Sequence, residues 1–267
     1  MAGDGYQLVV GNSSPKWDWH ARLARAFGLR VVVARPRERV GIRSAMTDEH
    51  RRDGNAQPPL SSMSDIALVS WRQFVGGPVG DGPVGDGQGV GAELTPRLAE
   101  TQVNEIFFST SNRRSFASNQ ERACFRNLWL GQYLNTYPEL ALLAVDRRAG
   151  KGPPKVVGYA VGWLQSPLAD PRFSSLGYFP ALADSLARYP AHLHINLHAH
   201  YRSAGLGSLL ICTLCSDIAA KQIPGIHVVT GHGARNTAFY QRNGFEPVAS
   251  VKWGASKLVQ LGRVLND

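Results

Sequence analysis

The stretch His192-Leu-His-Ile-Asn-Leu-His-Ala-His-Tyr-Arg-Ser-Ala-Gly-Leu-Gly207 concentrates the side chains and turns that could do chemistry. Imidazoles stand at 192, 194, 198 and 200, and an imidazole is suited to taking a proton near neutral pH. Strand alternation puts His192, His194, Asn196 and His198 on one face, with Leu193, Ile195 and Leu197 on the other. A row of imidazoles could also bind a metal, but Asn196 interrupts it, and a metal set needs converging ligands with supporting partners. No metal is therefore expected.

The turn Arg202-Ser-Ala-Gly205-Leu-Gly207 follows. Its glycines let the backbone come close to a ligand and aim successive N–H groups at one point. A helix opening there adds unpaired N–H groups and a positive dipole end, which suits a diphosphate, with the Arg202 charge at the rim. It is not a Walker loop, because no Lys-Ser/Thr follows the glycines. It is not the dinucleotide fingerprint either, because Leu210 stands where a third glycine would be. Gly80-x-Gly82-x-x-Gly85 fits that fingerprint literally, but Pro78 and Pro83 deny it the helix it requires. Cys212-Thr-Leu-Cys215 has the spacing of a redox or zinc half-site, yet it falls inside the helix after the turn and reads as core.

The turn needs a strand before it and a helix after it. The pattern predicts a strand over His192–His198, a helix over Leu206–Lys221, a strand over Ile226–Thr230 and a helix over Asn236–Asn243, with the last strands from Phe245 onward. Upstream, Glu105–Thr110 reads as a strand, Phe116–Leu134 as a helix, and Leu140–Val145 with Lys155–Gln165 as an antiparallel pair. Leu182–Arg188 reads as a short helix. Ser166–Tyr178 reads as a long loop in which Asp170 and Arg172 could meet a substrate. A helix between strands in the C-terminal half implies one parallel crossover in an otherwise antiparallel, mixed α/β sheet.

Three units are expected: a poorly determined N-terminal extension over 1–62, a Gly/Pro-rich linker or loop over 63–96, and the regular domain over 97–267. The linker contains the tandem repeat Gly-Pro-Val-Gly-Asp-Gly-Pro-Val-Gly-Asp-Gly. The 267 residues carry a formal charge of +9. From Arg97 onward, 18 Lys and Arg face 10 Asp and Glu, a net of +8. Such a surface suits an anionic ligand. The arginines are scattered and not clustered with aromatics, so a nucleic-acid partner is not expected. No apolar run approaches the ~20 residues that span a bilayer, so no membrane association is expected. Three cysteines and no basic-then-apolar leader lead to the expectation of a cytoplasmic protein.

Arg202-x-x-Gly205-x-Gly207 resembles the acetyl-CoA signature of the GNAT (N-acetyltransferase) superfamily, Arg/Gln-x-x-Gly-x-Gly/Ala. Asn236-Thr-Ala-Phe239-Tyr240-Gln-Arg-Asn-Gly244-Phe245 resembles that superfamily's second signature, with one gap of two residues. Weaker likeness to a bacterial GNAT subgroup covers Phe107-Phe-Ser-Thr-Ser as a first strand, Arg122–Leu134 as a first helix, Val157–Gly162 as a third strand, and Tyr189–Asn196. A more distant likeness is to the acetyltransferase-like domain attached to some O-GlcNAc hydrolases. The resemblance implies a GNAT acyl-CoA N-acyltransferase fold with splayed central parallel strands over 97–267. It implies acetyl-CoA as cosubstrate, direct transfer to a small-molecule or peptide amine, and the option of a homodimer.

By motif position, the resemblance assigns coenzyme contacts to Leu197, His198 and Ala199 on the central strand. It assigns Arg202, Ser203, Ala204, Gly205, Leu206, Gly207 and Ser208 to the diphosphate, and Asn236 and Phe239 to the second helix. An N–H of Leu197 or His198 would meet the oxyanion. Tyr240 takes the place of the family's acid. His194 and His192 are the candidate bases; they look like the paired histidines of arylalkylamine N-acetyltransferases, but stand one residue nearer the glycine turn, which calls for a bulge. The alternative is a catalytically silent GNAT-fold binding or regulatory module.

Overall fold

The computed structural model describes residues 65–75, 94–147 and 154–266. The expected N-terminal extension, the tandem repeat and residues 148–153 lie outside the described residues.

Strand β1 (Ile66–Ser70) pairs antiparallel with β2 (Ala141–Asp146), from Ile66↔Asp146 to Ser70↔Leu142. The sheet thus begins inside the segment expected as linker. Five residues beside a glycine-rich tract carry too little pattern to stand out, and β1 is specified by its pairing with the fully buried β2.

The expected strand Glu105–Thr110 is instead the end of helix α1 (Pro96–Thr110). Thr95 caps the helix by accepting from the Leu98 N–H, and Pro96 occupies the first turn, where its missing N–H costs nothing. Ala99, Val103, Ile106 and Phe107 bury one helical face, so the aromatic run Phe107-Phe108 belongs to a period of 3.6 and not of 2. The likeness of Phe107–Ser111 to a first strand fails with it.

Helix α2 (Asn119–Arg126) starts three residues later than expected. Ser118 accepts from the Glu121 N–H, while the Glu121 carboxylate reaches back to the Ala117 N–H. The helix continues through a π turn (Asn127–Gly131) into α3 (Gln132–Thr136). At Gly131 a Cβ would meet Asn127 Oδ1 at 2.9 Å, so a larger residue there would displace that side chain.

Antiparallel β2 and β3 (Lys155–Trp163) match the expected pair. Next come short 3₁₀ turns, α4 (Ala183–Arg188) and β4 (Ala191–Leu197). Helix α5 (Leu206–Ala219) leads to β5 (Gly225–Gly231), α6 (Thr237–Arg242), β6 (Glu246–Trp253) and β7 (Ser256–Val264). The seven strands form one mixed sheet in the order β1-β2-β3-β4-β5-β7-β6, with β4–β5 as its parallel pair.

Alternation along the strands divides the core. One face, with Tyr133, Tyr159, Trp163, Phe173 and Leu186, packs under α1 and α3. The other, with Leu193, Ile226, Val228 and Leu261, packs against Leu206, Leu210, Ile211, Leu214 and Ile218 of α5. Strand β4 follows this division: Leu193 lies on the α5 face, while His192 and His194 contact Tyr133 on the other.

Candidate functional site

Strands β4 and β5 are paired only at Ala191↔Ile226 and His192↔His227. Past that point β4 stays with β3, in register from Trp163↔His192 to Gly158↔Leu197. Strand β5 stays with β7 as far as Gly231↔Leu258. Each strand keeps one neighbour and loses the other, so a gap opens between them.

The ladder to β3 settles which backbone groups face the gap. The His198 N–H donates to the Val157 carbonyl at 2.9 Å. In an antiparallel pair alternate residues point their N–H and C=O to opposite sides, so Ile195 and Leu197 turn theirs toward β5. Leu197 is therefore where expected, whereas the His198 N–H is spent on β3 and cannot meet an oxyanion in the gap. Ala199 lies past the strand, in the 3₁₀ turn Ala199–Tyr201. The β4 register runs without a shift, so the bulge that the paired-histidine likeness calls for is not there.

The turn after β4 curls its backbone N–H groups toward one side. Ser203 (φ 66°) and Gly205 (φ 83°) are both left-handed, which curls successive N–H groups inward. Gly205 caps α5, and the first helical bond runs from Leu209 N–H to its carbonyl at 3.1 Å. The N–H groups of Leu206, Gly207 and Ser208 precede that bond and have no helical acceptor. Gly207 answers a second need: a Cβ there would meet Phe239 Cζ at 3.0 Å, Phe239 Cε2 at 3.1 Å and Leu197 Cδ1 at 3.4 Å. Gly205 is fixed by its dihedral, Gly207 by the closeness of Phe239. A side chain would strain the backbone at Gly205 and crowd Phe239 at Gly207. Arg202 is exposed, and its Nε donates to the Leu197 carbonyl at 3.2 Å, which ties the turn to the end of β4.

Across the gap, Thr230 Oγ1 donates to Asn236 Oδ1 at 3.0 Å, which turns the exposed Asn236 amide nitrogen outward as a donor. Tyr240 is buried between Phe239 (5.3 Å) and Phe245 (5.7 Å). Burial pushes its phenol well above 10, so it is a proton donor at neutral pH. Among the described residues its hydroxyl has no hydrogen-bond partner.

On the other face His194 is half-buried, with the rings of Trp129 at 5.3 Å and Tyr133 at 5.1 Å set edge-on. The π turn carries Trp129 to this place. Burial lowers the His194 pKa to about 4. His192 is buried among Tyr133, Trp163 and Phe173; burial, then the neighbouring His227 and His194, push it well below the usual value. Both rings are neutral near pH 7. Asn196 donates to the Tyr159 hydroxyl at 2.7 Å.

Asp170 and Arg172, the two loop candidates, engage each other. Arg172 engages both Asp170 carboxylate oxygens, at 2.9 Å each, and stacks 4.5 Å over Trp163. Cys212 and Cys215 are core residues whose thiols burial pushes up, Cys212 to about 12. Among the described residues no group of three or more His, Cys, Asp or Glu could hold a metal ion, and no helix is long and apolar enough to cross a membrane.

His227 escaped the sequence reading. It is buried on β5 beside His192, with ring centroids 5.4 Å apart. A lone histidine in an apolar strand gives no signal; only the β4–β5 register reveals the pair.

No protein-family model matches the chain. Among solved structures, the chain is similar to SsHAT at 22% identity, with 63% of this chain and 94% of that one covered and a TM-score of 0.47. It is similar to a GNAT superfamily phosphinothricin acetyltransferase from Sinorhizobium meliloti, solved with AcCoA, at 19% identity, 62% and 82% coverage and a TM-score of 0.41. It is also similar to a ribosomal-protein-alanine N-acetyltransferase from Brucella melitensis at 16% identity, 60% and 91% coverage and a TM-score of 0.38.

Proposed function

We propose that the chain is an acetyl-CoA-dependent N-acetyltransferase of the GNAT type, acting on a small-molecule or peptide amine by direct attack. One observation carries the reading: the β4–β5 gap ends at the mouth of a left-handed glycine turn that opens a helix. The two sequence signatures fall on the two sides of that gap, Arg202–Gly207 after β4 and Asn236–Phe245 after β5.

In this reading the N–H groups from Ser203 to Ser208 hold the diphosphate, and Asn236 adds an amide donor. The open backbone groups of Ile195 pair with the amides of the pantetheine arm, and Phe239 packs along it. Acetyl-CoA supplies the activated thioester carbonyl. The Leu197 N–H stabilises negative charge on that carbonyl oxygen during attack. His194, or His192 behind it, takes the proton that frees the amine lone pair. Tyr240 gives a proton to the leaving thiolate.

Thermal shift and calorimetry with acetyl-CoA test the binding half. Thiol release across a panel of amines tests the chemistry. Absence of any acetyl-CoA binding by the folded protein overturns the proposal. Binding without turnover on every amine favours the silent module.

A further inference from the structure

The β6–β7 hairpin stands at the end of the sheet where β4 and β5 have parted, and it holds a cavity that the proposed chemistry does not use. The cavity, of about 280 Å³, is lined by Ser250, Val251, Lys252, Ala255, Ser256 and Lys257. Lys252 and Lys257 are direct partners across the two strands. Like charges so placed destabilise a strand pair.

The fold holds them there. The hairpin closes on Gly254-Ala255, between the paired Trp253 and Ser256, with Gly254 left-handed (φ 55°). So short a turn fixes the register. Trp253 is set edge-on to Tyr178 at 5.1 Å, and Val251 and Leu258 pack against the core under α1 and α3. Alternation then sends Lys252 to the opposite face, and Lys257 shares that face with Val259, which belongs to the α5 core. The Lys257 carbonyl accepts from the His232 N–H at 2.8 Å, which ties the hairpin to the loop that carries Asn236.

Every polar side chain in the lining can donate: two ammonium groups and two hydroxyls. Among the described residues no carboxylate pairs with either lysine, and neither serine hydroxyl has a partner. An anion with several oxygens relieves the repulsion by taking a charge-assisted bond from each ammonium. A phosphomonoester brings about two negative charges near neutral pH and three acceptor oxygens, which matches the two ammonium groups. A carboxylate would leave one positive charge uncompensated. The pair also lies on the α5 side of the sheet, the side on which the Ser203–Ser208 turn opens α5, whereas His194 looks to the other face.

We propose that Lys252, Lys257, Ser250 and Ser256 form a binding site for a phosphomonoester group. The group belongs either to a phosphorylated ligand of its own or to the 3′-phosphate of a coenzyme A held at the Ser203–Ser208 turn. The site does not rest on the acetyltransferase reading; the coenzyme as its source does.

The test uses the full-length protein, with inorganic phosphate titrated against chloride at constant ionic strength. NMR should show saturable shifts of the Ser250, Lys252, Ser256 and Lys257 amides, and these should vanish when Lys252→Gln and Lys257→Gln are combined. Both lysines are exposed, so the double variant keeps its core. At low salt without phosphate, loss of the repulsion should raise its thermal midpoint by about 1–3 °C over wild type, and phosphate should narrow that difference. No shift at these amides, or equal shifts in the double variant, overturns the site. Acetyl-CoA and acetyl-dephospho-CoA separate the sources. An affinity ratio of about 10 in wild type that falls to about 1 in the double variant assigns the coenzyme's 3′-phosphate. Equal affinities in wild type, or a ratio that the double variant leaves unchanged, assign a separate phosphorylated ligand. Failure of the folded protein to bind either coenzyme removes the acetyltransferase reading, and the phosphate titration still decides the site.

Discussion

Gly207→Ala separates the cradle from a merely structural turn. The new methyl would lie 3.0 and 3.1 Å from two Phe239 ring carbons and 3.4 Å from Leu197 Cδ1. Carbon atoms pack at about 3.5–4.0 Å, so the ring must retreat by about half an ångström. Such overpacking costs about 1–3 kcal/mol. Replacing a helical glycine by alanine returns up to about 1 kcal/mol. The net loss of stability is therefore about 0–2 kcal/mol, and the protein folds. Binding should suffer more than folding, because Phe239 would move into the path of the pantetheine arm. We expect acetyl-CoA affinity to fall about 10-fold, or about 1.4 kcal/mol, by calorimetry. Shortening the opposing side chain as well, in Gly207→Ala with Phe239→Leu, should recover most of it, since the two sites touch and their effects are not additive. Wild-type affinity in folded Gly207→Ala would refute the argument, because the arm could not then lie against Phe239.

Gly205→Ala forces a side chain onto a left-handed residue (φ 83°) and should destabilise by about 1–2 kcal/mol, lowering the thermal midpoint more than Gly207→Ala does. Tyr240→Phe should lower kcat about 100-fold and leave acetyl-CoA affinity unchanged; an unchanged kcat removes Tyr240 as the acid. Stability should fall on acidification. Burial lowers the His227 pKa to about 4, against about 6.5 unfolded, so the unfolded chain binds the proton first as pH drops. Between pH 7 and pH 4.5 this one group removes about 2–3 kcal/mol. His194, also near 4 but half-buried, adds less. Asp170, held low by its bonds to Arg172, extends the loss to lower pH. Urea midpoints measured across this range check it, and a midpoint that stays flat contradicts the burial of His227.

Much of the site was legible because its parts are local. A strand, a glycine turn and a helix in succession announce themselves in Ile195–Ser208, and each glycine has its own constraint, a left-handed φ at Gly205 and the nearness of Phe239 at Gly207. What escaped depends on long-range register. His227 and Gln260 each sit alone in an apolar strand, and only the pairing of β4, β5 and β7 puts them beside His192. The same register removed His198 as an oxyanion donor, since Val157 takes its N–H. Strand β1 was lost in a glycine-rich neighbourhood. Helix α1 was misread because Phe107-Phe108 draws attention to six residues when the period becomes visible only over the fifteen from Pro96 to Thr110.

The open β4–β5 pair leaves backbone groups unpaired inside the sheet. Both strands have full ladders on their outer sides, to β3 and to β7, so nothing in either strand prevents pairing. Pairing stops after His192↔His227 and leaves the inward backbone groups of Ile195 and Leu197 without a strand partner. Both residues are half-buried, so water reaches these groups only in part. An extended ligand with alternating amide N–H and C=O groups and an anionic end would satisfy them as a strand does, with its charge seated on the Ser203–Ser208 turn. On the proposed reading acetyl-CoA has that form. Its binding then completes the sheet, and a ligand at 100 times its Kd should raise folding stability by about 2.7 kcal/mol. A truncated ligand that keeps the diphosphate but lacks the pantetheine arm should reach much less of that gain at the same concentration. If both ligands stabilise equally, the turn alone binds, and the opened strands serve some other end.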